Sequence, residues 1–283
     1  MATTPRPGEH DVSLSHLPPE VKAVRSGSFG EVASHYERYR PGPPVAAVDW
    51  LLPGTVDRVV DLGAGTGALT RLLVGRAGEV VAVEPDHRMR AVLVDEVPGA
   101  RAVDGRGEAL PLDDASADAV LASSSWHWMD VEPALREVAR VLVPGGFLAA
   151  LWTGPDPEGP FMSQARDLLT RRAGDDGNGG GEGGLTGQVL ADAVRPVSTL
   201  EIPAGLPFRS PEHAKFFWEV SLDADDLIGL LGTLSWVITM TEPTRSRLFA
   251  EARRLLAELL GVEGDVTVDV AFRCDAWRSQ CLA

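Results

Sequence analysis

The chain has 283 residues, 44% of them hydrophobic, and a formal net charge of −15. That is enough apolar material for one large domain, or one domain with a subdomain, and the acidic excess argues against a nucleic-acid partner, whose phosphates call for clustered Lys and Arg. Two cysteines, Cys274 and Cys281, are too few for a disulfide scaffold, the N-terminal stretch lacks the apolar core of a signal peptide, and no apolar run approaches ~20 residues, so the expectation is a soluble cytoplasmic protein with no membrane partner.

In chain order, RSGSFG (25–30) sets Gly27 and Gly30 ahead of YERYRP (36–41), which predicts a hinged arm. Residues 1 to about 40 are expected to be mobile until a ligand orders the part around Tyr36 and Arg40. RVVDL (58–62) predicts a strand, and Leu69, Leu72 and Leu73 predict a helix after it. EVVAVE (79–84), ARAV (100–103), ADAVLAS (117–123) and FLAALW (147–152) predict four more strands. DHRMRAVLVDEV (86–97) and VEPALREVARVL (131–142) predict helices between them, and a Pro-Gly-Gly turn at 144–146 precedes the last of these strands. Strands alternating with helices mean a parallel, doubly wound sheet with its ligands at the carboxyl ends of the strands.

Past residue 153 the pattern changes. GDDGNGGGEGGLTG (174–187) predicts a flexible loop and VSTLEI (197–202) a strand. Helices are predicted around 211–219, over 223–232, and over 243–260 with Pro243 in its first turn and Gly261 at its end; VTVDVAFR (266–273) alternates as a strand does. This half reads as the far edge of the same sheet with helices inserted as a lid.

VVDLGAGTGALTRLL (59–73) joins a strand to a helix through a glycine-dense turn, which suits a nucleotide-like ligand. Gly63, Gly65 and Ala68 satisfy a dinucleotide fingerprint, while Gly63, Gly65 and Gly67 equally satisfy the G-x-G-x-G turn of methyltransferases. The turn by itself leaves both open. Asp61, two residues before Gly63, would repel a pyrophosphate but suits S-adenosylmethionine, which carries an ammonium and a sulfonium and no phosphate. Glu84 ends the second strand, where a carboxylate accepts both ribose hydroxyls of either ligand class.

The chain is similar to class I S-adenosylmethionine-dependent methyltransferases, in the small-molecule branch that includes ubiquinone and trans-aconitate methyltransferases. The resemblance runs from FGEVASHYERYRPGPP (29–44) to about residue 152 and rests on VDLGAGTG, VVAVEPD, GEALPL, DAVLASSSWHW and RVLVPGG in that order. It implies a doubly wound, mostly parallel, seven-stranded Rossmann-like α/β sheet with a helical lid in the C-terminal half. The arm would span 1–45, the cofactor-binding core 46–155, and the completed sheet with its lid 156–283. The implied cofactor is S-adenosyl-L-methionine, with S-adenosyl-L-homocysteine as product and a small organic molecule as acceptor. By the same resemblance Asp61, Gly63, Ala64 and Gly65 wrap the methionine part, Glu84 and Pro85 take the ribose, and Gly107 and Glu108 border the adenine. Ser123 and Ser124 join this set after the fourth strand, and Tyr36 and Arg40 fold over the cofactor to meet its carboxylate. Arg106 stands where the family often has Asp, which replaces an adenine contact by a guanidinium suited to stacking. Bacterial secondary metabolism fits the Arg- and Ala-rich, lysine-poor composition. The rival reading on the same fold is a protein that binds the cofactor without methylating, a cyclase or regulator.

Trp126 and Trp128 are candidates for the substrate pocket. His127, between them, is the candidate catalytic base for a hydroxyl or protonated-nitrogen acceptor; the alternative is that it packs between the two indoles and orders the loop. His35, His87 and His213 read as surface residues. The six His and two Cys show no zinc-ligand spacing, so no structural metal is expected.

Overall fold

The computed structural model describes residues 19–175, 199–260 and 267–282. Two short helices, α1 (Pro19–Ser26) and α2 (Ala33–Tyr39), flank a 3-10 turn at Phe29–Val32 and lead into α3 (Val45–Leu51). Strands and helices then alternate: β1 (Val56–Leu62), α4 (Thr70–Leu73), β2 (Ala77–Val83), α5 (His87–Glu96), β3 (Arg101–Val103), β4 (Ala117–Ser123), α6 (Val131–Val141) and β5 (Leu142–Pro155). After α7 (Pro160–Asp175) come β6 (Glu212–Leu222), the helices α8 (Ala224–Leu231), α9 (Ser235–Ile238) and α10 (Glu242–Leu260), and finally β7 (Val268–Gln280).

The seven strands form one sheet in the order β3-β2-β1-β4-β5-β7-β6. Neighbours from β3 to β5 run parallel, and β7 is antiparallel to both β5 and β6. The sheet is therefore mostly parallel and doubly wound, with the strand order reversing between β1 and β4. Central parallel strands are covered on both faces and read as continuous apolar runs. On one face Val60, Leu62, Val81, Val120 and Ala122 pack under Leu135 and Val138 of α6. On the other, Val59, Val80, Leu121 and Leu151 meet Ala47, Val48 and Leu51 of α3 and Leu73 of α4. The C-terminal helices have a small core of their own, with Ile228, Leu231, Val237, Leu248 and Ala252.

Three expectations are corrected. The segment around 211–219 is not a helix but the edge strand β6. Its side chains alternate, with residues 213, 215, 217, 219 and 221 exposed and 214, 216, 218 and 220 half-buried. The Phe216-Phe217-Trp218 triplet hides this period, because it puts apolar side chains on both faces, a pattern that fits helix and strand equally. Residues 199–202, expected to end a strand, carry none. The Pro-Gly-Gly turn is a bulge inside β5: Ala117 pairs with Leu142 and Ala119 with Phe147, and Gly145 takes φ +83°. Residues 1–18, Gly261 and all but the first two residues of the 174–187 loop lie outside the described residues. No helix among the described residues is long and apolar enough to cross a membrane.

Candidate active site

β1 ends at Leu62 and the chain turns through Gly63 (φ +69°), Gly65 (φ +58°) and Gly67 (φ +99°), values glycine adopts with no Cβ penalty. The amides of Gly63 and Ala64 donate to the Val83 carbonyl at 2.8 and 3.1 Å, and the Gly65 amide donates to Glu84 Oε2 at 2.8 Å. Three successive donors of the turn are thus spent on the end of β2. A phosphate-binding turn keeps such donors for its ligand. Ser125 Oγ donates to the Leu62 carbonyl at 2.6 Å and ties the loop after β4 to the same place.

Two buried carboxyls flank the turn. Glu84 is held by the Gly65 amide on Oε2 and by the Asp86 amide on Oε1 at 2.9 Å. Burial pushes its pKa up against those two hydrogen bonds. A carboxylate has about four lone-pair sites, so two remain for a ligand. Asp61 does not line the cleft. Successive strand side chains face opposite ways, so with Leu62 at the cleft Asp61 lies behind the turn, fully buried, where Thr70 Oγ1 donates to its Oδ2 at 2.6 Å. Its Oδ1 has no hydrogen-bond partner among the described residues. Burial, with a smaller push from the Glu84 charge, raises its pKa from 3.8 to about 7, although the Thr70 hydrogen bond opposes the shift. Between about pH 4 and pH 7 the folded protein therefore holds a proton here that the unfolded chain has lost. This group's contribution to stability falls as pH rises through that window and is constant outside it. Asp61→Asn is expected to remove that slope, so denaturant melts at several pH values should show the variant gaining on the wild type as pH rises from about 5 to about 7. Parallel pH profiles would show Asp61 already ionised in the folded protein.

The cleft opens at the carboxyl ends of β1, β2 and β4 and holds about 200 Å³. Gly63, Ala64 and Gly65 form its floor, with Glu84 and Pro85 at one side, Arg106, Gly107 and Glu108 beyond them, and Ser123 and Ser124 at the other. Ser124 takes φ +51°, a left-handed conformation uncommon outside glycine, and this swings the chain sharply off β4 at the cleft wall. Glu108 Oε1 accepts from the Asp130 amide at 2.7 Å, which holds the outer loop against α6's first turn.

The arm roofs the cleft with Tyr36 and Arg40. Arg40 lies 5.5 Å over the Tyr36 ring and 3.5 Å from Thr233 Oγ1, and it has no carboxylate partner among the described residues. Lys22 Nζ donates to the Met129 carbonyl at 2.7 Å, Arg88 donates to the Gly27 carbonyl at 3.1 Å, and Arg71 pairs with Glu37 at 2.7 Å. Gly30 sits flat on the Asp86–Arg88 pair, where a Cβ would come within 2.5 Å of both side chains. His35 meets the Gly229 carbonyl at 2.9 Å, so α2 bridges the cleft and α8; this histidine is half-buried rather than a free surface residue. His213 is exposed but stacks on Trp277 at 4.0 Å and bonds Asp275 at 2.9 Å. His87 is simply exposed.

Of the tryptophans, Trp128 lines the cleft, edge-on to Phe29 at 5.8 Å. Trp126 is corrected from pocket to core: it is 3% exposed and packs with Leu135 and Trp152. His127 lies outside the cleft wall, half-buried, with Trp128 at 4.7 Å. The Trp152 indole N–H donates to His127 Nδ1 at 3.0 Å. An indole only donates, so Nδ1 is the acceptor and the ring proton sits on Nε2. Desolvation, followed by the Arg40 and Lys22 charges, pushes this imidazole down to about 3. Sequence reasoning missed Phe29, Met89, Ser125, Met129 and Thr153, which also line the cleft. Only Ser125 had a signal, as the third member of the Ser run at 123–125.

A family profile described as a methyltransferase domain matches residues 60–150. An uncharacterised methyltransferase of Mycobacterium tuberculosis is 39% identical over 230 residues, covering 81% of this chain and 86% of that protein. A malonyl-[acyl-carrier protein] O-methyltransferase of Methylococcus capsulatus is 40% identical over 98 residues, 32% of this chain and 36% of that protein. Among solved structures, a protein of Anaeromyxobacter dehalogenans assigned as a type II methyltransferase superposes with a TM-score of 0.53 at 23% identity, covering 86% of this chain and 98% of that one, a likeness of fold. The long relative extends the match through the edge strands, far beyond the glycine turn, and the sheet has the order found above; the chain belongs to the class I S-adenosylmethionine-dependent methyltransferase family.

Proposed function

We propose that the protein transfers a methyl group from S-adenosylmethionine to a small organic acceptor. The observation that carries this reading is where the turn's amides go. Gly63, Ala64 and Gly65 all donate to β2 and Glu84, so none of these three amides is free to hold a phosphate on the floor of the cleft. S-adenosylmethionine supplies an electrophilic methyl on a sulfonium. Toward it, Glu84 would accept the ribose hydroxyls, with Pro85 beside the sugar, and Arg106, Gly107, Glu108, Ser123 and Ser124 would enclose the base. Tyr36 and Arg40 would close on the carboxylate, Arg40 having no carboxylate partner among the described residues. The roof formed by residues 19–45 and the helices α8 to α10 would exclude water above the 46–155 core. Alignment and dehydration of this kind account for roughly 7–11 kcal/mol of a barrier with no covalent enzyme intermediate.

A small acceptor fits the acidic chain, and the O-methyltransferase relative acts, by its name, on malonyl-[acyl-carrier protein]. The two buried free cysteines fit the reducing cytoplasm. Parallel calorimetric titrations with S-adenosylmethionine, S-adenosylhomocysteine and NAD test the cofactor: the first two should bind, and binding of NAD alone would sink the reading. Release of S-adenosylhomocysteine across a panel of acceptors tests turnover, and cofactor binding without any release would indicate the non-methylating cyclase or regulator.

In this reading His127 positions the loop and is not a base, since its Nδ1 is occupied by Trp152 and its proton affinity is too low. His127→Gln is expected to keep kcat within about tenfold of wild type, with no imidazole inflection in kcat between about pH 5 and pH 8. A loss of ~10²–10⁴ with cofactor affinity intact would make it the base after all.

A further inference from the structure

We propose that β6 is the interface of a homodimer, pairing antiparallel with β6 of a second copy across a two-fold axis so that the sheet continues through both subunits. The two edges of the sheet are built differently. β3, at one edge, has three residues and presents an exposed arginine, Arg101, a short and charged edge of the kind that resists further pairing. β6, at the other, has eleven residues and no proline, with Phe216, Phe217 and Trp218 in its middle. Such a strand is about 36 Å long, and as an edge it presents a row of unpaired backbone groups. Phe217 is 63% exposed, the largest figure among the exposed large hydrophobics, shared with Val24.

The strand is its own complement. Full overlap of Glu212–Leu222 with its two-fold copy puts Phe217 opposite the partner's Phe217, and every other pair is symmetric about it. In that register Phe216 faces the partner's Trp218, and Lys215 faces the partner's Glu219, twice per dimer. Lys215 and Glu219 are both exposed, and neither has an ion-pair partner among the described residues, whereas Glu212 at the strand's start is already paired with Arg278 at 2.7 Å. Opposite charges directly across a strand pair are favourable and like charges are not, and aromatic pairs add to this. The chain's net charge of −15 opposes association in general, but the central stretch of this strand is neutral through that one lysine and one glutamate. A foreign peptide would need the same pattern by coincidence; a second copy has it by symmetry, which is the usual origin of an isologous interface. The cleft at β1, β2 and β4 stays open, since β5 and β7 separate it from β6.

Sedimentation equilibrium of the full chain tests this. The wild type is expected to sediment at twice the 30.1 kDa chain mass at micromolar concentration. Lys215→Glu and Glu219→Lys each create two like-charge pairs in this register and should weaken the dimer at least ~tenfold, while the combined exchange restores it. Circular dichroism confirms that each variant is folded, and if one single variant is not, the other and the exchange carry the same comparison. A monomeric wild type, a dimer indifferent to both single substitutions, or an exchange that fails to restore association each overturns the proposal.

Discussion

Gly63→Ala is expected to lower Tm by at least ~5 °C and to abolish measurable S-adenosylhomocysteine binding. The backbone at Gly63 has φ +69°, where a Cβ costs roughly 1–2 kcal/mol. The new Cβ would stand 2.6 Å from Ser125 Cβ and 2.9 Å from its Oγ. Ser125 cannot yield freely, because its hydroxyl is bonded to the Leu62 carbonyl inside the core. Overpacking of this kind costs roughly 1–3 kcal/mol, and each kcal/mol moves Tm by about 2–4 °C in a chain of this size. Relief has to come from the loop after β4, which carries Ser124 and Trp128 of the cleft wall, so binding falls with stability. Gly54, an exposed glycine with nothing within 4 Å of its would-be Cβ, is the control, and Gly54→Ala should leave both properties unchanged. Wild-type Tm and affinity in Gly63→Ala would show that the turn relaxes without cost.

Glu84→Ala is expected to weaken S-adenosylhomocysteine by ~1.5–3 kcal/mol, about ten- to a hundredfold in Kd, the range for hydrogen bonds to a charged group. The carboxylate plays two parts, accepting the Gly65 and Asp86 amides and facing the cleft with its remaining lone pairs. Glu84→Gln separates them, since the amide keeps one acceptor for the turn and offers the ligand a mixed donor and acceptor; its loss should be intermediate. Because burial raises the Glu84 pKa, wild-type affinity should begin to fall at a higher pH on acidification than an ordinary glutamate would cause. Calorimetry on the folded variant decides, and unchanged affinity in Glu84→Ala removes this residue from the site.

The parallel core was legible in the sequence because burial on both faces selects unbroken β-branched and apolar runs. ADAVLAS and β4 coincide, and RVVDL and EVVAVE fall within a few residues of β1 and β2. The distal edge was not. HAKFFWEVSL has residues that fit either period, and only the eleven paired positions with β7 make it a strand, through contacts some sixty residues away in the chain. Trp126 and Trp128 are two residues apart in the same 3-10 turn, yet one fills the core under α6 and the other faces the cleft. Composition treats them alike; the direction in which a short turn rotates each side chain does not.

By itself, the sequence determined that a strand, a glycine turn and an acidic residue ending the next strand would meet, because the spacing of hydrophobic runs and glycines is a local property of the chain. The glycine turn alone fits two fingerprints, and Asp61 with the ordered motifs along the chain pointed from the sequence to S-adenosylmethionine. What the tertiary structure adds is where three backbone donors of that turn go. Gly63, Ala64 and Gly65 turn their amides onto Val83 and Glu84, groups that reach them only once β1 and β2 lie side by side in register. A donor can be spent on the protein or offered to a phosphate, and no residue type in the turn records which. That choice belongs to the packing of one strand against the next.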